Sequence, residues 1–338
     1  MTDQKNYSLL AHNTFGIDAR CNRFLTFDSV DEAKDVAHIL RAGDTPFLII
    51  GGGSNLLLTR DYEGTVVRST IQGTEVLRQN ADSLTVRVGS GMEWDAFVAY
   101  AVEHGWYGAE NLSLIPGDVG ASAVQNIGAY GAEACDLIEQ VEAVCISDGQ
   151  TVTIAAADCQ YGYRQSRFKQ EWKNQYLITH VVYRLSLQEH PRVDYGNIKT
   201  ELQRRGIACP TARQLRDVII AIRQEKLPDP KVEGNAGSFF MNPVVSREQF
   251  ESLIAQYPQM PHYFVDESHE KIPAGWMIDQ CGWKGRSLGC AGVHARQALV
   301  LVNRGGATGR EIVALCEAVR SDVKERFGID IHPEVNII

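Results

Sequence analysis

Nowhere in the 338-residue sequence do about eighteen apolar residues run together, so no membrane-spanning helix and no membrane partner are expected. The opening stretch, MTDQKNYSLLAHNTFG, lacks both a basic start leading into an apolar core and a small-residue cleavage site. That absence removes a secretory signal and makes the cytoplasm the expected location. Positive charge is in short supply, with 33 Lys and Arg against 42 Asp and Glu and a formal net charge of −9. A chain of this balance is a poor candidate for gripping a phosphate backbone, and no nucleic-acid partner is expected. The eight cysteines, Cys21, Cys135, Cys145, Cys159, Cys209, Cys281, Cys290 and Cys316, include no CxxC pair, which points to idle or buried thiols in a reducing compartment. The nine histidines form no HExxH and no Cys/His group at ligand spacing, so no metal site is expected. Internal repeats and low-complexity segments are also absent.

What is present is the composition of an ordinary globular protein, 44% hydrophobic and 22% charged, long enough to divide into two or three domains. The first unit reads as βαβ. RFLTF forms a strand; Ser29 and Glu32 form a capping box before a helix with Val30, Ala33, Val36, Ala37 and Leu40 on one face; Gly43 ends it, and PFLII returns as a strand. SLTVRVGSG alternates as a strand and leads into a helix with Trp94, Phe97, Val98, Ala101 and Val102 inward. From about residue 139 the chain turns to strands. QVEAVCISDGQTVTIAA has a hairpin pattern around Asp148-Gly149, and QYLITHVVYRLSL is a second long β run.

Thr211 with Gln214 caps a helix carrying Leu215, Val218, Ile219 and Ile222, which stops at the prolines of KLPDPK. Ser246 with Gln249 and Thr308 with Glu311 begin two more helices, and QALVLVN gives a strand between them. The expected class is α+β: residues 1–70 as a first lobe joined by a returning strand at 329–338, residues 71–210 as an antiparallel-rich second lobe, and residues 228–325 as a separate α/β domain.

Two glycine-rich stretches raise the question of a ligand. GGGSN follows an apolar strand but is neither a GxGxxG fingerprint nor a P-loop, because Leu56 stands at the third place after Gly53 and no Gly-Lys-Ser/Thr follows. It is either a tight turn or a nest of backbone N–H groups that binds anions by geometry, with Ser54 and Asn55 as added donors. NLSLIPGDVGASAVQNIGAYGAE interleaves Gly117, Gly120, Gly128 and Gly131 with Ser, Asn, Gln and Tyr. Two such loops together can wrap an extended ligand with a pyrophosphate and a ring system, and a dinucleotide cofactor is favoured. In GNAGSFFMNP, Ser238 is either part of a turn feeding a buried strand or a hydroxyl placed to react.

In chain order, GGGSNLL, NLSLIPGDVGASAVQNIGAYGAE, YGYRQSRFK, KLPDPKVEGNAGSFFMNPVV, AGVHARQALVLVN and HPEVNII closely resemble the UDP-N-acetylenolpyruvoylglucosamine reductases, flavoenzymes of peptidoglycan precursor synthesis. VDYGNIKTEL resembles the tyrosine loop of the family's longer subtype. The resemblance implies an FAD-binding domain of the vanillyl-alcohol oxidase (PCMH-type) group in two lobes, spanning 17–188 overall, and a third, substrate-binding domain. It implies non-covalent FAD held by Gly51, Gly52, Gly53, Ser54, Asn55 and Leu56 in one loop and by Pro116, Gly117, Ser122, Asn126, Gly128 and Ala129 in the other, with NADPH as co-substrate.

The implied reaction reduces the enolpyruvyl ether of UDP-N-acetylglucosamine to UDP-N-acetylmuramate. Arg164 matches the residue that holds the substrate carboxylate, suited to it by a permanently charged planar fork. Ser238 matches the proton donor. Glu334 matches the residue that polarises the carboxylate, which is sensible only for a protonated or water-linked group, since an ionised one would repel the developing anion. Tyr163, Tyr195, Lys226, Asn242 and Gln297 match positions that contact the nucleotide sugar, and Arg223 is a subsidiary candidate for a flavin or phosphate contact. A monomer is expected. Two positions depart from the family pattern: Met241, where a lysine is usual, and Asp118, where the residue is commonly small or uncharged.

Overall fold

In the computed structural model, which describes residues 1–43 and 46–338, strand pairing gathers the chain into two compact units, each assembled from separate stretches of sequence. The first comprises Met1–Tyr7, Cys21–Gly52 and Glu63–Glu225; the second comprises Ser8–Arg20, Gly53–Tyr62 and Lys226–Ile338. Among the described residues no helix is long and apolar enough to cross a membrane.

The first unit holds a four-stranded sheet in the order Thr2–Ser8, Arg20–Phe27, Tyr62–Ser69, Phe47–Ile50. The last two run parallel, with Ile50 opposite Arg68. The helix Val30–Ala42 starts as its sequence directs, Ser29 Oγ accepting the Glu32 N–H at 3.2 Å. The return bond expected of a capping box lands one residue upstream, from the Asp28 N–H to the Glu32 carboxylate at 2.9 Å. Ala33, Val36, Ala37 and Leu40 then bury against Leu25, Phe27 and Val67, and against Val144 and Leu177 of a second sheet.

That second sheet is antiparallel throughout, in the order Thr151–Ala155, Ile138–Cys145, Tyr176–Ser186, Ser83–Gly89, Thr74–Gln79. Leu84, Val86 and Val88 are buried, as their alternation demands. The helix Trp94–Glu103 lays Trp94 and Phe97 on the buried Tyr183, Phe97 stacking at 5.1 Å and Trp94 meeting it edge-on at 5.7 Å. Two further helices, Ile198–Arg204 and Ala212–Lys226, share a small core of Ile198, Leu202, Leu215, Val218, Ile219 and Ile222. The second begins with a reciprocal box: Gln214 N–H to Thr211 Oγ1 at 3.3 Å and Thr211 N–H to Gln214 Oε1 at 2.9 Å.

The second unit mixes helices with two antiparallel sheets. One runs Gly234–Asn235, Leu301–Asn303, Ala291–Val293, Ser287–Leu288; the other runs Val244–Ser246, His269–Lys271, Tyr263–Asp266. The helix Gly309–Phe327 carries a full Thr308/Glu311 capping box, stops at Gly328 in the left-handed conformation, and buries Ile312, Leu315, Cys316, Val319 and Val323. Near the C-terminus, Asn336–Ile337 pairs in parallel with Leu56–Leu57.

One ion pair fixes the helix Ala212–Lys226. The Arg216 guanidinium forks onto the Asp95 carboxylate at 2.6 and 2.9 Å, and Asp95 Oδ1 also accepts the Leu114 N–H at 2.5 Å. Burial pushes the Asp95 carboxyl up, but the Arg216 fork and the Leu114 N–H outweigh it and leave the group below its ordinary range. Asp95→Ala is expected to cost about 3 kcal/mol at neutral pH, because it strands a largely buried arginine. The folded pKa is depressed, so this contribution is complete above about pH 5 and is lost as the pH falls through the carboxylate range. Urea unfolding of both proteins at pH 7 and at steps toward pH 3 checks the prediction, which requires the gap between them to close in acid.

Candidate active site

In the first unit, the strand Phe47–Ile50 leads into Gly51 and Gly52, and these pack closely against the second glycine-rich loop, with little room for side chains. A Cβ on Gly51 would lie 3.1 Å from Ala121 Cβ, and one on Gly52 would lie 3.2 Å from both Gly117 Cα and Asp118 Oδ1. Gly120 is equally constrained, 2.9 Å from Ser90 Cβ on the same construction. Pro116 is exposed and Gly117 is half-buried with φ +116°.

Two residues expected at the cofactor, Ser122 and Asn126, use their side chains to hold the loop itself. Ser122 is buried, its hydroxyl donating to Val119 O at 2.7 Å and lying 2.7 Å from the Tyr183 hydroxyl. Asn126, fully buried in the left-handed conformation, donates to Gly162 O and Glu133 Oε2, both at 2.8 Å, and accepts the Cys135 N–H at 3.0 Å. Gly128–Ala129 then pairs with Ala132–Glu133. Tyr130 and Gly131 between them both have positive φ, 50° and 78°, as a two-residue type I′ hairpin requires.

Arg164 enters this loop from a second tight turn, Gly162–Gln165, with its own φ at 55°. Its Nη2 donates to Gly128 O at 2.9 Å. Arg223, on the helix Ala212–Lys226, lies within electrostatic reach of Arg164, Tyr130 and Asp95. Burial, with Arg164 adding to it, pushes the Arg223 guanidinium below its ordinary range, against Tyr130 and Asp95. Its Nε is buried and has no hydrogen-bond partner among the described residues. Two guanidiniums in mutual repulsion, one with a spare buried donor, form a locus that favours an anion. Tyr163 and Tyr195 are about half exposed; the Tyr195 ring stands edge-on to Tyr130 at 6.5 Å.

Sequence reasoning did not single out Asn111, which ties these pieces together. Its Nδ2 donates to Tyr130 O at 2.8 Å and Arg192 O at 3.0 Å, joining the hairpin to the segment that leads to Tyr195. No local pattern marks such a residue, because its partners lie far along the chain.

In the second unit, Gly53 has φ +67°, and a Cβ there would lie 2.0 Å from His12 O. Ser54 follows, and then Asn55 accepts from the Asn336 N–H at 3.1 Å and donates from Nδ2 to Glu334 O at 3.4 Å. Leu56 is buried and lies opposite Asn336. Ser238 is exposed between buried Ala236 and buried Phe239. The turn before it is set by Asn235, 2% exposed, whose Oδ1 accepts the Gly237 N–H at 2.9 Å while Nδ2 donates to Glu233 O at 2.8 Å and Pro228 O at 3.3 Å. Phe239 donates its N–H to Leu299 O at 2.7 Å and accepts the Glu334 N–H at 2.8 Å. Ser238 and Glu334 are thereby brought to the same end of one backbone ladder, which continues through Met241 N–H to His332 O at 2.9 Å.

Asn242 and Gln297 meet at the start of the helix Ala274–Gln280. Asn242 Oδ1 accepts the Ala274 N–H at 2.9 Å, and Gln297 Oε1 lies 3.3 Å from where a Gly275 Cβ would stand. Lys226 is exposed, and Met241 presents its side chain to solvent.

Comparison with known proteins bears on what these loops hold. Residues 22–155 match the model of an FAD binding domain, and residues 229–338 match the C-terminal domain of UDP-N-acetylenolpyruvoylglucosamine reductase. The chain is 57% identical to the UDP-N-acetylenolpyruvoylglucosamine reductase of Bacteroides fragilis over 336 residues, covering 99% of this chain and 100% of that one. The chain belongs to the UDP-N-acetylenolpyruvoylglucosamine reductase family. The reductase of Chromobacterium violaceum is 49% identical, covering 98% and 97% of the two chains. The solved reductase from Thermus caldophilus shares the fold, with a TM-score of 0.68 at 22% identity, covering 99% of this chain and 98% of that one.

As a UDP-N-acetylenolpyruvoylglucosamine reductase the chain is an FAD-dependent oxidoreductase of peptidoglycan synthesis. The glycine loops fit such a group: Gly51 and Gly52 bring bare backbone against the second loop, and the Arg164–Arg223 locus places positive charge beside Gly128. Gly52→Val is expected to purify without flavin, read from visible absorbance, while its far-UV circular dichroism stays native. A variant with full flavin occupancy would remove this loop from the cofactor site.

Proposed function

We propose that this reductase converts UDP-N-acetylglucosamine enolpyruvate to UDP-N-acetylmuramate with NADPH as the electron source, using Arg164, Ser238 and Glu334. The observation that carries this reading is the convergence of Ser238 and Glu334 on one ladder, through the Glu334 N–H to Phe239 O bond. FAD, when bound and reduced with electrons from NADPH, would supply the hydride for the outer alkene carbon of the substrate. Negative charge then grows on the adjacent carbon and the carboxylate, and the protein's own groups answer that charge.

Arg164 binds the carboxylate as a planar fork, with Arg223 raising the local positive potential. Glu334 acts on the same carboxylate through a bound water, which donates the hydrogen bond. Ser238 gives its hydroxyl proton to the adjacent carbon, and its exposure leaves a route for a solvent proton to replace it. A serine is a weak acid, but the carbanion it meets is a far stronger base than water, so the transfer runs downhill once the geometry is fixed. Tyr163, Tyr195, Lys226, Asn242 and Gln297 hold the nucleotide sugar, and FAD contacts come from the glycine loops. The enzyme works as a cytoplasmic monomer.

Stopped-flow spectroscopy of wild type and Ser238→Ala separates the half-reactions. NADPH is expected to bleach the flavin of the variant at a near-normal rate, while reoxidation by the enolpyruvyl substrate slows by roughly 10² or more. Equal reoxidation rates would take Ser238 out of the mechanism, and failure of NADPH to reduce wild-type flavin would overturn the choice of reductant.

A further inference from the structure

Against the first glycine loop lies an ion pair that the reaction does not use. Asp118 is 6% exposed, and its carboxylate is pressed against the loop: Oδ1 lies 3.2 Å from where a Gly52 Cβ would stand, and Oδ2 lies 3.5 Å from the Gly51 position. Arg68 reaches that carboxylate from the strand Tyr62–Ser69, Nη2 at 3.2 Å and Nε at 3.4 Å from Oδ2. Its backbone lies in register with Ile50, the residue immediately before Gly51. A buried carboxylate therefore stands where side chains at two glycines would be, on a loop proposed to bind a polyanionic cofactor, and an arginine beside the same loop opposes its charge.

We propose that the Arg68–Asp118 pair sets the affinity of this reductase for FAD: Arg68 cancels the field of Asp118 at the Gly51-Gly52 loop, and Asp118 in turn holds Arg68 against that loop. The inference rests on the loop holding the cofactor's diphosphate, which Gly52→Val tests separately.

The physical basis is the distance dependence of charge interactions in a partly buried site. An uncompensated carboxylate beside a diphosphate repels it far more strongly in a partly buried site than in water, because the effective dielectric is lower. Among the described residues, the other charged group facing Asp118 is Glu93, whose backbone bridges to that of Asp118. Burial pushes the Asp118 carboxyl up, Glu93 adds to that push, and Arg68 opposes both. With Arg68 removed, the remaining influences all favour the neutral acid. FAD binding then takes up a proton at Asp118 and strengthens as the pH falls.

The test is the dissociation constant of FAD for the full-length apoprotein, from flavin fluorescence quenching between pH 6 and 8.5 at low salt and at 0.5 M NaCl. Arg68→Met is expected to weaken FAD by 10-fold or more at pH 8.5 and to recover most of that loss at pH 6, whereas wild type varies little. Asp118→Asn is expected to bind FAD at least as tightly as wild type, with a steeper salt dependence, because Arg68 keeps its charge. The double variant Arg68→Met/Asp118→Asn is expected to return to within a few-fold of wild type, and Arg68→Lys to retain most of the affinity. Near-native circular dichroism of each apoprotein establishes that the comparison is between folded chains. Equal, additive and pH-independent losses in the two single variants would overturn the proposal and reduce the pair to packing. Loss of FAD by Gly52→Val with no effect of the pair would do the same while leaving the loop's role intact.

Discussion

The hydrogen bond from the Glu334 N–H to the Phe239 carbonyl, with its neighbour from the Met241 N–H to the His332 carbonyl, fixes the geometry on which the second unit depends. Phe239 is held on its other edge by Leu299, and both Phe239 and Phe240 are fully buried. Side chains in such a packed interior sit in single rotamers, so the chain leaving Phe239 has little freedom. Ser238 is the first exposed residue before that anchor, and Glu334 is the residue whose own N–H completes it. Neither side chain has to be steered individually. The backbone pairing that satisfies buried N–H and C=O groups also fixes where both residues leave the chain.

Much of this architecture was legible in the sequence because it follows from local rules. The helices that begin at Ser29, Thr211, Ser246 and Thr308 all start where a short oxygen-bearing side chain precedes an amphipathic run. The strands containing Val86, Val181 and Val144 alternate cleanly or run apolar. The strand Thr2–Ser8 was not legible, because it is an exposed sheet edge whose polar residues give no alternation. The short helix Ile198–Arg204 was hidden by the polar, proline-containing passage before it. The contributions of Asn111, Asn126 and Asn235 escaped as well. Each satisfies backbone groups at sites dictated by tertiary structure, and a single buried asparagine carries no period that a sequence window could detect.

The glycine-rich loops divide their labour differently from what their composition suggests. Ser122 and Asn126 look like ligand donors when read in one dimension, yet their polar atoms are consumed inside the protein. A buried hydroxyl or amide without a partner is costly, so the loop uses these side chains to brace its own bends. Backbone N–H groups at glycine remain the natural donors to a bound anion, since no Cβ screens them. The guanidiniums near these loops, Arg164 in a left-handed turn and Arg223 on a helix, are held by rigid elements rather than by the loops themselves.

The second unit is composed of three stretches, 8–20, 53–62 and 226–338, and contacts such as Asn55 with Glu334 join residues 279 positions apart. Contacts of such separation close the largest loops in the chain, and topologies rich in them fold slowly. Residues 8–20 and 53–62 emerge first during synthesis, while their partners in 226–338 are still to come. Between those moments Phe15, Leu57 and Leu58, all fully buried in the finished protein, have no native surface to cover them. The same threading that places Glu334 beside Ser238 therefore opens a period in the life of each new chain when its exposed apolar segments depend on chaperones or on speed to escape aggregation.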